Sequence, residues 1–164
     1  MRILKILAIL ALVITLLGAG TLLYTLETRT PKATETFPEI VNATADIARF
    51  EGYRNALEEE RYAGRVFSSE DLLDAGQYTF LNIRLRLANN CLLPMEWITA
   101  EVVPEEGDVL EARDQNPHVL NARSSGDLTL QVLTHQDTLG QGRRIKISYY
   151  ILGQKYETEI QVTF

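Results

Sequence analysis

Five carboxylates fall within ten residues at Glu105, Glu106, Asp108, Glu111 and Asp114, and clustered hard oxygen donors are what Ca²⁺ requires. Their spacing is not that of an EF-hand loop, so they read first as solvated loop charge and only second as a calcium site. Paired carboxylates for glycoside hydrolysis would need a sugar-holding cleft between them, which a small β domain rarely supplies. His118 and His135 stand in polar surroundings, and the chain has neither a Gly-x-Ser-x-Gly turn nor a glycine-rich phosphate loop after a strand. One cysteine and two separated histidines do not make a zinc site. The sequence therefore points away from an enzyme, and no cofactor or metal is expected.

Binding is the chemistry left. Trp97, Tyr149, Tyr150 and Tyr156 could stack on a sugar ring or seat a protein partner, although half of such residues ordinarily fill a core. Tyr150 stands out, because strand alternation sends it to the face opposite Ile145, Ile147 and Ile151. The candidate interaction surface is accordingly Trp97 and Tyr150, with Glu105, Glu106 and Asp108 of the acidic loop. Cys91, among apolar neighbours, reads as a small buried hydrophobe.

The elements that position these residues come after one dominant stretch. From Ile6 to Leu26 the chain runs 21 residues without a charge, framed by Arg2 and Lys5 before it and Glu27 after it. A helix of that length spans a hydrocarbon core of about 30 Å at about 1.5 Å per residue. Gly18, Ala19 and Gly20 could form a signal-peptide cleavage site, but the apolar run continues through Leu22, Leu23, Tyr24 and Leu26, longer than a signal core. Residues 1–26 are read as a retained transmembrane anchor, with a cleaved and secreted domain as the alternative. Arg2 and Lys5 favour a cytoplasmic N-terminus.

The remaining chain is the size of a single domain. It carries a net charge of −7 once the residues flanking the anchor are set aside, a poor match to nucleic acid, whose binding rests on clustered Lys and Arg. A single cysteine allows no internal disulfide, which fits an exported bacterial domain held by packing alone. Residues 27–39, with Pro31 and Pro38, are expected to be a linker. A strand near 40–50 and an irregular excursion should come next, then a short helical turn over 68–74 capped by Ser68 and ended by Gly76.

From Tyr78 onward the pattern has period two. Leu81, Ile83, Leu85 and Leu87 alternate with Asn82, Arg84 and Arg86, giving one apolar and one wet face. Further strands are expected from Trp97 to Val103, briefly at Val109 and Leu110 before Asn116 and Pro117, and through Leu128, Leu130 and Val132. The runs ending at Ile151 and Phe164 read as a hairpin turning at Gly153 and Gln154. Several short strands separated by turn signals predict an all-β, antiparallel sandwich over 40–164.

The strand ending at Asn89 and Asn90, the Trp on the next strand, the Ser-Gly step before Leu128 and the final hairpin around Gly153 together resemble immunoglobulin-like and fibronectin-type-III-like modules of bacterial surface proteins. The likeness covers residues 78–164, without the paired cysteines of antibody domains. It implies a sandwich fold. The resulting expectation is a single-pass protein of the cell membrane with an extracytoplasmic domain that binds another cell-envelope protein, a cell-wall glycan being the alternative ligand. Solvent exposure of Trp97 bears on the choice, because a buried Trp97 removes the strongest sugar-stacking candidate.

Overall fold

The computed structural model describes residues 2–68, 70–113, 118–140 and 142–164. It begins with one helix, α1 (Arg2–Thr28). Over Ile3–Thr28 that helix is long and apolar enough to cross a membrane, and it exposes apolar side chains along its length.

Two antiparallel sheets follow. Strands β1 (Lys32–Asn42), β3 (Tyr78–Ala88), β7 (Ser125–His135), β5 (Asp108–Arg113) and β2 (Arg65–Val66) form a five-stranded sheet in that spatial order. Strands β6 (His118–Leu120), β4 (Met95–Val102), β8 (Gly142–Ile151) and β9 (Gln154–Thr163) form a four-stranded one. Leu81, Ile83, Leu85 and Leu87 of β3 meet Leu128, Leu130 and Val132 of β7 in a cluster that continues into the other sheet through Ile98, Ile145, Ile147, Tyr149 and Val162. The alternation read in the sequence thus sends the apolar face of each sheet into one shared core. Cys91 is buried in it.

A second, smaller cluster lies around Phe50, Tyr78, Phe80, Leu110 and Leu133. It brings the helix α2 (Ile47–Glu58) against the first sheet. The strand expected near 40–50 is corrected here, since β1 stops at Asn42 and a 3-10 turn over Ala43–Asp46 leads into α2. Capping decides it. The Asp46 carboxylate accepts the Arg49 amide at 3.3 Å, satisfying one of the orphan donors of a helix start, and Arg49 and Arg54 pair at i,i+3 with Asp46 and Glu51. Gly52 sits where an added Cβ would meet nothing, so it weakens the helix by propensity alone.

Two further expectations are corrected. Residues 27–39 are not a linker: α1 runs to Thr28, and β1 occupies most of the remainder, paired with β3 from Lys32 opposite Ala88 to Asn42 opposite Thr79. Pro38 lies on the outermost strand of its sheet, the place within a sheet where proline is ordinarily found. The helical turn expected over 68–74 is replaced by a 3-10 turn at Ala75–Gln77, with the Asp74 carboxylate accepting the Gly76 amide at 2.8 Å; Ser69 lies outside the described residues. The final hairpin is present, turning on Leu152 and Gly153 with φ of +51° and +76°, the geometry of a two-residue turn matched to strand twist.

Because 34–37 is strand, replacing it with Gly-Ser-Gly-Ser should cost about 1–2 kcal/mol in denaturant unfolding, at roughly 0.5–1 kcal/mol for each of its two glycines. An unchanged midpoint would return the segment to a linker.

Candidate functional site

The structure brings two of the proposed surface residues together and separates them from the other three. Across β4 and β8, Glu96 stands opposite Tyr150 and Thr99 opposite Ser148, so β4 spends one residue more than its partner over this interval. That bulge is where Trp97 sits, with φ of +52°. Met95 and Ile98 point into the core on either side while Glu96 and Trp97 both point out. A bulge of this kind re-aims side chains at the cost of a one-residue shift in register. Its effect is to leave the indole 62% exposed.

Positive φ is costly for a bulky side chain, by about 1–2 kcal/mol. Such strain is concentrated where a side chain must be held in a particular place. Around Trp97 lies a groove of about 610 Å³ lined also by Glu96, Thr99, Glu101, Ser148, Tyr150, Gly153 and Lys155. Tyr150 is half-buried and lines the groove with the exposed indole. Tyr149 points the opposite way into the core and stacks on Tyr156 with centroids 5.8 Å apart, so these two aromatics belong to packing.

The rim of the groove is charged in both senses. Glu101 pairs with Arg65 at 3.4 Å. Glu157 holds Lys146 at 2.6 Å and Lys155 at 2.8 Å. Hydrogen bonds from Lys146 and then Lys155 pull the Glu157 carboxyl down to about 2, and the bond to Glu157 raises Lys155 in turn. Glu157 and Lys155 therefore stay ionised across the physiological range. Together the ion pairs set a pattern of paired charge beside the Trp97 indole.

The acidic loop has a different role. Asp108 has no exposed side-chain surface and accepts Nη2 of the equally buried Arg143 at 3.0 Å. Glu105 accepts Nη1 at 3.2 Å, and the carbonyls of Leu139 and Gly142 accept the same nitrogen at 2.9 and 3.0 Å. Asp108 also receives the Glu105 amide at 2.9 Å. A guanidinium therefore occupies the position that a cation would take, and the two carboxylates act as a clamp between β5 and β8. Gly107 completes the loop with φ of +86°, and a Cβ there would run into the Thr138 side chain. Glu111, also buried, accepts the Val102 amide at 2.8 Å and Arg65 Nη1 at 3.1 Å. Glu106 is exposed at the turn, and Asp114 lies outside the described residues. Among the described residues no group of three or more His, Cys, Asp and Glu could hold a metal ion. Glu105, Glu106 and Asp108 thus do not join Trp97 and Tyr150 in one site.

Sequence reasoning missed Arg143 and read Glu111, which is buried, as part of a solvated acidic loop. Arg143 has the same strand parity as Ile145, Ile147 and Tyr149, all buried, and that parity was the available signal. His135 packs against the Tyr78 ring at 4.7 Å. A second concavity of about 680 Å³ lies on the five-stranded sheet around Phe37, Arg49, Asn82, Arg84 and Gln131. Its polar groups are largely satisfied by one another: Asn82 bonds Glu39 at 3.1 Å, Gln131 bonds Asn82 at 2.6 Å, and Arg84 lies over the Phe37 ring at 4.8 Å. The Trp97 groove is the better candidate, because an exposed indole on strained backbone has no such internal explanation.

Comparison with known proteins adds little to this geometry. No family model matches the chain, and no curated protein matches it. Among solved structures it is similar to the yeast GGA1 GAE domain in a crystal structure described as GGA1_GAE domain-P21, at 15% identity over 57% of this chain and 96% of that one, with a TM-score of 0.39. It is also similar to the GAE domain of GGA2p from Saccharomyces cerevisiae, at 9% identity over 63% of this chain and 97% of that one, with a TM-score of 0.38. Likenesses this distant assign neither a fold nor a function.

The positive φ at position 97 can be read by substitution. Trp97→Gly should be about 1 kcal/mol more stable than Trp97→Ala in denaturant unfolding, because only glycine enters that region without steric cost; the reverse order would exclude the bulge geometry. In the loop, Arg143→Ala should cost about 3–5 kcal/mol by leaving Asp108 buried without its partner. Added CaCl₂ should leave the unfolding midpoint of the unsubstituted chain where it is, and a rise would restore the calcium reading.

Proposed function

We propose that this chain is a non-catalytic binding module anchored in a bacterial cell membrane. In this reading α1 spans the bilayer with Arg2 and Lys5 on the cytoplasmic side. The two sheets face one another as an immunoglobulin-like sandwich outside it, and the Trp97 groove binds another protein of the cell envelope.

The observation that carries the proposal is Trp97 itself. An indole left 62% exposed, on backbone that disfavours it, lies beside a half-buried tyrosine and a rim of fixed opposite charges. Trp and Tyr at the centre of a surface, surrounded by polar groups, make the anchor points of protein interfaces. The mixed rim favours a polypeptide, which presents both signs of charge, over a neutral sugar. Exposure of Trp97 nevertheless retains stacking on a cell-wall glycan as the second reading, since the indole is free to take it.

The test is to place a photo-crosslinking amino acid at Tyr150 in the full-length protein in its native membranes, and to compare Trp97→Ala. One stoichiometric envelope protein should be captured, with its affinity lowered roughly 30-fold or more by Trp97→Ala, the loss typical of a central tryptophan at about 2 kcal/mol. Retention on purified cell wall that depends on Trp97, without a protein product, would favour the glycan. A substitution that changes neither would remove the groove from function.

A further inference from the structure

The base of the domain is built against the helix. Only Arg29, Thr30 and Pro31 separate α1 from β1, and Pro31 is buried. The last turns of α1 are held on the domain: the Tyr24 hydroxyl donates to the Asn90 carbonyl at 3.4 Å, and the Cys91 thiol to the Thr25 carbonyl at 3.9 Å. Arg29 lies over the Tyr156 ring at 5.3 Å, and Arg123 over the Tyr24 ring at 6.0 Å.

Beside these contacts the turn between β8 and β9 extends alongside the helix. A groove of about 600 Å³ is lined by Gly18, Thr21 and Leu22 of α1 and by Leu92, Leu93 and Leu152 of the domain. Leu152 is 81% exposed at the tip of the turn, beside the exposed apolar side chains of α1 rather than alone. Gly18 and Leu22 belong to the uncharged run that ends at Leu26. At about 1.5 Å per residue, Leu22 lies about 6 Å along the helix from Leu26. Leu152, sharing a groove with it, therefore reaches the depth of the helix's apolar part.

We propose that this base is a membrane-seating surface whose occupant is the phospholipid of the outer leaflet, an inference that rests on α1 being a membrane anchor. Leu152 and Leu92 enter the boundary between headgroups and acyl chains. An acyl chain fills the groove against α1, because the residues that line it from the helix side are surrounded by lipid when α1 spans. Arg29 and Arg123 meet lipid phosphates, with Tyr24 at the interface, the arrangement in which long cationic and aromatic side chains act as anchors. The seat also places the groove around Trp97, since Tyr150, two residues before Leu152, and Gly153, the residue after it, line that cavity. A partner would then be met at the membrane surface, as the juxtamembrane part of another envelope protein.

Trp97 is the only tryptophan in the chain, so a Trp97→Phe background allows one indole to be placed at will. The full-length protein is reconstituted in phosphatidylcholine vesicles containing brominated acyl chains. Leu152→Trp in that background should emit at shorter wavelength and lose most of its emission to the brominated lipid, whereas Glu106→Trp should keep it. Leu92→Trp provides the same reading should the turn not tolerate the larger residue. Leu12→Trp reports the anchor itself. Quenching at 12 with none at 152 and 92 overturns the membrane seat and leaves the anchor standing. No quenching at 12 overturns the anchor, and the seat with it.

Discussion

The pleat of the two sheets is the constraint that governs everything else in the domain. Successive strand side chains alternate between faces, and here the inward set of β3, β7, β4 and β8 fills one continuous core. A single-residue slip in any of these strands would send leucines and isoleucines to water and charged residues inward. The insertion at Trp97 is tolerated only because it is complete within one bulge, with Met95 and Ile98 both still buried. An exposed tryptophan could have been placed at any outward position without a bulge. Placing it on an inserted residue instead lets Glu96 and Trp97 project side by side, widening the face opposite Tyr150 beyond what an alternating strand offers.

The same pleat explains which parts were legible in the sequence. Leu81 to Leu87, Leu128 to Val132 and Ile145 to Ile151 each carry apolar residues two apart, and each forms a strand. The opposite orientations of Tyr149 and Tyr150 obey the same rule. Where a residue's location depends on a tertiary partner, the sequence alone misleads. Lys32–Asn42 is largely exposed because β1 is an edge strand, and a polar run containing Pro38, with Pro31 just before it, looks like a linker. Phe50 resembles a strand residue among Ile40, Val41 and Ile47, until the cap at Asp46 starts a helix that lays it on Tyr78 and Phe80.

Charge was the least legible property. Five carboxylates in a loop look solvated, yet two of them neutralise an arginine that the alternation of β8 turns inward, and a third ties Arg65 to the backbone of β4. Burying such a pair brings little net stability, because desolvation offsets most of the attraction. What it fixes is geometry. Arg143 reaches the carboxylates of Glu105 and Asp108 and two backbone carbonyls at once, which locks the loop after β4 to the start of β8. Those are the two strands whose far ends carry Trp97 and Tyr150.

At that far end the turn between β8 and β9 serves two surfaces at once, Gly153 lining the Trp97 groove and Leu152 the groove against α1. With Pro31 buried and only three residues between helix and sheet, the domain lacks the slack by which a flexible tether would let it turn freely. A module on a long linker searches a volume for its partner. If α1 is an anchor and the Trp97 face binds, as proposed, a module held this closely would instead present one face at one height, exchanging reach for orientation, with the entropy of orienting that face lost on folding and no longer on binding. On the proposed reading, the short connection, the docked end of the helix and the strained indole are parts of one arrangement, in which a small surface would gain affinity by being held in place before its partner arrives.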